Sequence, residues 1–396
     1  MCRYRLNQYK KDRLEISSEL LAAFQSDDIH KFHKSIDEYQ PTPTHSLQSL
    51  ADELGIDKLL VKDESCRFGL KAFKGMGASY AIYRHVKEQW ETKFGGSFEI
   101  DDLYDRSKLA ELQLGPFCTA TDGNHGRAVA WFSRLLGQQA FIYMPKGTAD
   151  ARIANIRSEG AEVTVIDGDY DEAVRRIARD AKENGWQVIS DTAYPGYTQV
   201  PRRIMAGYTT ILAEMEPGLY PDGQPEVDIV ILPAGVGSFA AAALWYYYDR
   251  YLDKRPRFVS VEPAAADCFL ESIISGQGQA KQTTGNLDSI MAGLNCGTPS
   301  VEAWPLMRDG IDLFLAISDR HALKAMRRYY YATGDDRRII SGESGAAGLA
   351  ALLALMNEPS LCEAREAIGL DRDARVLVFN TEGDTDPDYF RKVVRG

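Results

Sequence analysis

The chain has 396 residues, 44% hydrophobic and 26% charged, with a formal net charge of −11. That length suits two domains or one large α/β unit, and the acidic balance argues against nucleic acid or an anionic membrane as the main partner. No apolar run is long enough to span a bilayer; "FAAAALWYYY" is short and followed by charge.

The start, "MCRYRLNQYKKDRLEISSEL", is polar and lacks the apolar core of a secretory signal, so a cytoplasmic protein is expected. The six cysteines (Cys2, Cys66, Cys118, Cys268, Cys296, Cys362) are scattered without C-x-x-C and read as reduced thiols. Cys268 and Cys296 flank a loop-like stretch and are the one pair to check. The six histidines show no ligand spacing, so no metal is expected.

In chain order, short β-branched runs alternate with helical patterns. "KLLVKDE" reads as a strand and "AFKGMGASYAIYRHVKEQW" as a helix whose start carries Lys74 between Phe73 and Gly75. An ammonium there loses hydration, which lowers a lysine's pKa, so it needs a negative partner or a chemical use for its amine. "FCTATDGNHGRAVAWFSRLLG" reads as strand, glycine turn and helix. "QAFIYMP", "ADARIANIRSEG", "EVTVIDG", "YDEAVRRIARDAKENG" and "WQVISDT" continue the alternation. After a helix around "RRIMAGYTTILAEM" comes a Pro/Gly-rich connection, "EPGLYPDGQPE". "VDIVILPAGVGSFAAAALWYYYD" is then a buried strand, a glycine turn and a helix, and "RFVSVEP", "IDLFLAIS", "SGESGAAGLAALLAL" and "ARVLVFNTEGD" complete the set. Strands separated by helices imply parallel sheets with helices on both faces. In such sheets ligands bind beyond the carboxyl ends of the strands, where the unusual short segments fall.

The turn "PAGVGS", Ala234 to Ser238, has two functional readings. Gly235, Gly237 and Ala240 fit a dinucleotide fingerprint, with Glu262 placed as a ribose-binding acid. A glycine turn opening a helix also suits any single phosphate. Lys74 separates the two, because a pyridoxal-phosphate enzyme needs a buried amine for a Schiff base and a dehydrogenase does not. In "TATDGNHG" the turn can aim N–H groups at a substrate carboxylate, and Asn124 is placed to donate to the cofactor's phenolic oxygen. Asp122 is odd there, since it repels a carboxylate; it makes sense as a proton acceptor or a partner for an ammonium group. Asp191, in "DTAYPGY", is a second acid at a strand end.

These segments carry a resemblance. "AFKGMGA" is similar to the lysine motif of the tryptophan-synthase-β-like (fold type II) pyridoxal-phosphate enzymes, "TDGNHG" to their asparagine loop and "PAGVGS" to their phosphate loop. "FNTEGD" resembles their C-terminal strand, whose Ser or Thr contacts the pyridine nitrogen. The matches run in the family's order over nearly the whole chain. "VEP" at Val261 to Pro263 also recurs in the family and gives Glu262 a structural reading. Ala72, Met76 and Asp122 depart from the general pattern, and the departures resemble the diaminopropionate ammonia-lyase branch.

The resemblance implies two parallel-sheet αβα domains with the active site in the cleft between them. The expected boundaries are residues 1–80 and 205–396 for a large cofactor-anchoring domain and 81–204 for a smaller, mobile substrate-side domain. It also implies pyridoxal 5'-phosphate, a homodimer, and α,β-elimination of 2,3-diaminopropionate of either hand to pyruvate and ammonia. Lys74, Asp122 and Asp191 are the expected catalytic residues. Lys74, Asn124, Ala234, Gly235, Val236, Gly237, Ser238, Glu343 and Thr381 are expected around the cofactor, and Thr121, Asp122, Gly123, His125 and Asp191 around the substrate. A serine or threonine deaminase of the same fold, a non-catalytic pyridoxal-phosphate carrier and an NAD dehydrogenase are the alternatives.

Overall fold

A computed structural model describes residues 2–168, 170–219 and 225–396. The tip of the expected connection at Glu216 to Glu226, residues 220–224, and Asp169, between an expected strand and the expected helix that begins at Tyr170, lie outside the described residues.

The chain forms two compact units, 1–21 with 41–66 and 211–396, and 22–40 with 67–210. The larger holds a seven-stranded sheet in the order β1-β10-β9-β8-β11-β3-β2. Its parallel centre consists of β3 (Lys58–Asp63), β8 (Ile229–Pro233), β9 (Arg257–Pro263), β10 (Leu313–Ile317) and β11 (Arg375–Asn380). Central parallel strands are covered on both faces, which is why they read as continuous apolar runs. Val230, Ile231 and Leu232 in β8 and Val376, Leu377 and Val378 in β11 are fully buried. Truncating such a side chain to Ala costs about 2–4 kcal/mol.

The two edges are antiparallel: β1 (Arg3–Leu6) pairs with β10, and β2 (Thr44–Ser46) with β3. Neither edge strand was expected from sequence. β1 alternates exposed and half-buried residues and carries two arginines, so it has no apolar run to announce it.

The smaller unit holds a four-stranded parallel sheet, β6-β5-β4-β7, of β4 (Phe117–Ala120), β5 (Ala140–Pro145), β6 (Glu162–Ile166) and β7 (Gln187–Val188). The expected boundary between residues 80 and 81 falls inside one unbroken helix, Lys74–Phe94. Tyr80, Ala81, Ile82 and Tyr83 are all buried along it, so cutting there would open a core. Lys74 therefore belongs to the smaller unit, and residues 22–40 join it; the expected division is corrected on both points. The boundary expected at 204/205 likewise falls within the helix Gln199–Ala213.

Candidate active site

In the smaller unit, β4 runs into the turn Thr121–Gly123, and the turn opens the helix Asn124–Leu135. Thr121 shapes the turn: its Oγ1 accepts from the N–H groups of Gly123 (3.0 Å) and Gly126 (3.1 Å). Gly123 sits at φ +153, ψ −81, a conformation open to glycine alone. β7 leads to Asp191, and Lys74 is the first residue of the helix Lys74–Phe94. These elements bring Lys74, Asp122, His125 and Asp191 into one electrostatic neighbourhood.

Lys74 Nζ donates to Asp191 Oδ2 at 2.6 Å, with the two side chains only 16% and 11% exposed. The lysine in its apolar segment thus has a negative partner. Burial alone pushes the Asp191 carboxyl up, but the Lys74 charge and the hydrogen bond from Lys74 hold it well below the usual carboxylate range. Asp122 goes the other way. Burial pushes it up to about 7; Arg152 and Lys74 oppose the rise and Asp191 adds to it. Two carboxyl groups in one site are therefore poised for different work, one fixed as an anion and one able to exchange a proton near neutrality.

His125 is buried and its Nε2 bonds the carbonyl of Ile189 at 2.8 Å. That contact requires the proton on Nε2, since a carbonyl only accepts. Burial lowers the ring's pKa, so the ring is neutral and Nδ1 is a bare acceptor. Nδ1 is buried without a hydrogen-bond partner and lies 3.9 Å from Asp191 Oδ2. A bare acceptor beside a fixed carboxylate suits an ammonium group of a ligand. Asn124 follows Gly123 as the first residue of the helix.

Two residues outside the expected set join this neighbourhood. Tyr208, fully buried, packs its ring 4.9 Å from Phe73, and Lys74 and Asp191 both act on its hydroxyl. Arg152 lies over Gly123. Neither carries a sequence signal: Tyr208 reads as one more aromatic on a buried helix, and Arg152 as a solvated helix charge.

In the larger unit, β8 passes through Ala234–Gly237 into the helix Ser238–Tyr251. Gly237 has φ +91, and a Cβ there would collide with the Phe269 ring. At Gly235 a Cβ would stand 3.1 Å from the Gly293 carbonyl and 3.2 Å from Cys296 Sγ. The turn thus presents bare backbone at a helix N-terminus, whose first N–H groups have no partners within the helix. Ala234 is anchored to Val261 (2.9 Å), and Val236 accepts from Ser300 N (3.0 Å). Both oxygens of Glu262 accept from backbone N–H groups, Phe269 (2.8 Å) and Leu270 (2.9 Å). Its carboxyl is committed to that helix start, which leaves the dinucleotide reading without its ribose ligand. Cys268 and Cys296 are free thiols bordering Gly235, Cys268 Sγ lying 4.0 Å from its carbonyl.

Thr381 follows β11 and is buried, its Oγ1 3.5 Å from the Ser344 carbonyl; Glu343, the neighbour of Ser344, is buried too. Asn380 holds the end of β11 by donating to Asp63 Oδ1 (2.8 Å) and the Ile340 carbonyl (3.0 Å). Among the described residues no group of three or more His, Cys, Asp and Glu side chains is arranged to hold a metal ion.

Each unit offers groups that suit pyridoxal phosphate: the smaller a primary amine on a helix end, the larger a glycine turn too tight for a Cβ and a neutral hydroxyl at a strand end.

The family model for pyridoxal-phosphate dependent enzymes matches residues 36–381. The diaminopropionate ammonia-lyase of Salmonella typhimurium is 40% identical over 368 residues, covering 93% of this chain and 91% of that protein. The diaminopropionate ammonia-lyase of Escherichia coli, solved with an aminoacrylate–pyridoxal-phosphate azomethine reaction intermediate, superposes with a TM-score of 0.87 and 38% identity, over 100% of this chain and 97% of that one. The same E. coli enzyme in complex with D-serine gives a TM-score of 0.88 and 39% identity over the same shares. A tomato threonine deaminase, 19% identical with a TM-score of 0.72, shares the fold. The chain belongs to the pyridoxal-phosphate dependent enzymes of fold type II and, within them, to the diaminopropionate ammonia-lyases.

Proposed function

We propose that this chain splits 2,3-diaminopropionate of either hand into pyruvate and two molecules of ammonia, with water consumed and pyridoxal 5'-phosphate as cofactor. The observation that carries the reading is the pairing of Lys74 with Asp191 at 2.6 Å beside an Asp122 poised near neutrality. A substrate with a second ammonium group finds a fixed carboxylate there, where serine or threonine offers a neutral hydroxyl.

When bound, the cofactor supplies an electron sink that lowers the barrier to removing the α-proton. Lys74 holds it through its amine, the turn Ala234, Gly235, Val236, Gly237 and Ser238 takes its phosphate, and Asn124 donates to its phenolic oxygen. Thr381, a neutral hydroxyl, partners the ring nitrogen without protonating it fully, which favours elimination over transamination. Glu343 lines the ring face.

Thr121, Gly123 and His125 orient the substrate. Lys74 is the base on one face of Cα and Asp122 the base on the other, which provides for both enantiomers. Asp191 binds the 3-amino group and assists its departure. The enzyme works as a homodimer in the cytoplasm; among the described residues no helix is long and apolar enough to cross a membrane.

The test is Asp122→Asn, assayed with each enantiomer. Turnover of the D-form should fall by roughly 10²-fold or more while the L-form is largely kept. Intact D-turnover removes Asp122 from its assigned role. Faster turnover of serine or threonine than of diaminopropionate would favour the deaminase reading, and cofactor binding with no ammonia from any amino acid would favour the carrier.

A further inference from the structure

Asp122 carries its unusual carboxyl on a turn only a few residues long, so something must hold that turn and offset the charge that forms there. Three charged groups act on the Asp122 carboxyl: Arg152 from the helix Asp150–Ser158, Lys74 from the start of the helix Lys74–Phe94, and Asp191 from beyond β7. Lys74 is engaged by Asp191 at 2.6 Å. Arg152 is thus the main positive charge opposing the effect of burial on Asp122.

Its geometry suits the role. The arginine stem lies across Gly123: a Cβ there would stand 3.2 Å from Arg152 Cδ, 3.6 Å from Cγ and 3.7 Å from Cβ. Nη1 donates to the backbone carbonyl of Asp122 at 3.4 Å. The aliphatic part of the side chain covers the strained glycine and its head bonds the peptide beside it. One residue from a separate helix therefore holds the turn alongside its Thr121 hydrogen bonds.

We propose that Arg152 is the positioning residue of the Asp122 base: it clamps the Thr121–Gly123 turn and supplies the compensating charge that lets a half-buried carboxylate work there. The proposal rests on the reading of Asp122 as the base for the D-enantiomer. It makes Arg152 a determinant of stereochemical range, since the opposite face of Cα is served by Lys74.

The experiment uses the holoenzyme with ¹³Cγ-labelled aspartate, the Asp122 signal being identified by its loss in Asp122→Asn. The midpoint of that signal is followed against pH in wild type, Arg152→Gln and Arg152→Lys, alongside kcat/KM for each enantiomer. Removing a nearby positive charge disfavours the carboxylate, so in Arg152→Gln the midpoint should rise by about one pH unit. The acid limb for the D-substrate should move up with it, while the limb for the L-substrate stays. Arg152→Lys keeps the charge and should return most of the shift.

Retained L-turnover shows that the variants fold. An unmoved Asp122 midpoint in Arg152→Gln overturns the proposal, as does an equal displacement of both enantiomers' profiles. A midpoint that rises while the D-profile stays fixed supports the Arg152–Asp122 coupling and removes Asp122 as the base, so the two readings fail separately.

Discussion

Lys74 Nζ and Asp191 Oδ2 lie 2.6 Å apart, in a site where both side chains are mostly withdrawn from solvent. A charge-assisted hydrogen bond of this length is among the stronger non-covalent contacts, and breaking one partner strands the other. In the proposed reading, the pair places the amine that would take the cofactor next to the anion that would receive a cationic substrate.

The Asp191→Asn variant should therefore lose the second ammonium's partner. Turnover of 2,3-diaminopropionate of either hand should drop by roughly 10²-fold or more, whereas any turnover of serine, which lacks the second ammonium, should change much less. Steady-state kinetics with both substrates decides it: equal losses mean that Asp191 does not recognise the 3-amino group, and no loss removes it from the site.

The pH dependence separates the two acids. Asp122, pushed up to about 7, must be ionised to act as a base. D-substrate kcat/KM should rise as pH increases through about 7, and that limb should vanish in Asp122→Asn. A D-profile flat across this range contradicts the assignment.

Asp191 also links folding to pH. Its folded-state pKa is depressed, against about 3.9 for an unfolded aspartate. The stability it contributes is fully present above that unfolded value and is lost as pH falls through the folded one. Denaturant unfolding of the cofactor-free protein should show an acid-side loss of stability that is smaller in Asp191→Asn. An identical acid dependence in the variant would mean the pair contributes nothing to the folded state.

Gly237→Ala tests the phosphate turn. With φ +91 and the Phe269 ring against it, the alanine should cost about 1–3 kcal/mol. Its cofactor affinity should fall as well. Thermal melts with and without pyridoxal phosphate read both effects; a wild-type stabilisation by the cofactor would contradict the account of the turn.

Much of this was legible in the sequence because parallel strands buried on both faces announce themselves. β8 and β11 read as apolar runs, and the chemistry-bearing segments after β4, β8 and β11 sit at strand ends. Lys74, Asp122 and Asp191 stood out as charges in places where charge is expensive. The edge strands β1 and β2 did not, because an edge needs no apolar run. The domain division was misread because the Lys74–Phe94 helix runs unbroken through the expected boundary, and no composition change marks where a contiguous helix belongs. Arg152 and Tyr208 were invisible for another reason: their partners lie far away in sequence, and an arginine on a helix or a tyrosine in a core is unremarkable until folded.

The central claim is tested most directly by adding D- and L-2,3-diaminopropionate separately to the purified holoenzyme. The visible cofactor band, pyruvate and ammonia are followed together in wild type, Lys74→Ala and Asp122→Asn. The account predicts a band that shifts on addition, two ammonia per pyruvate with either enantiomer in wild type, no turnover in Lys74→Ala, and selective loss of the D-reaction in Asp122→Asn. A wild-type band that shifts without pyruvate, or undiminished turnover in Lys74→Ala, would contradict it.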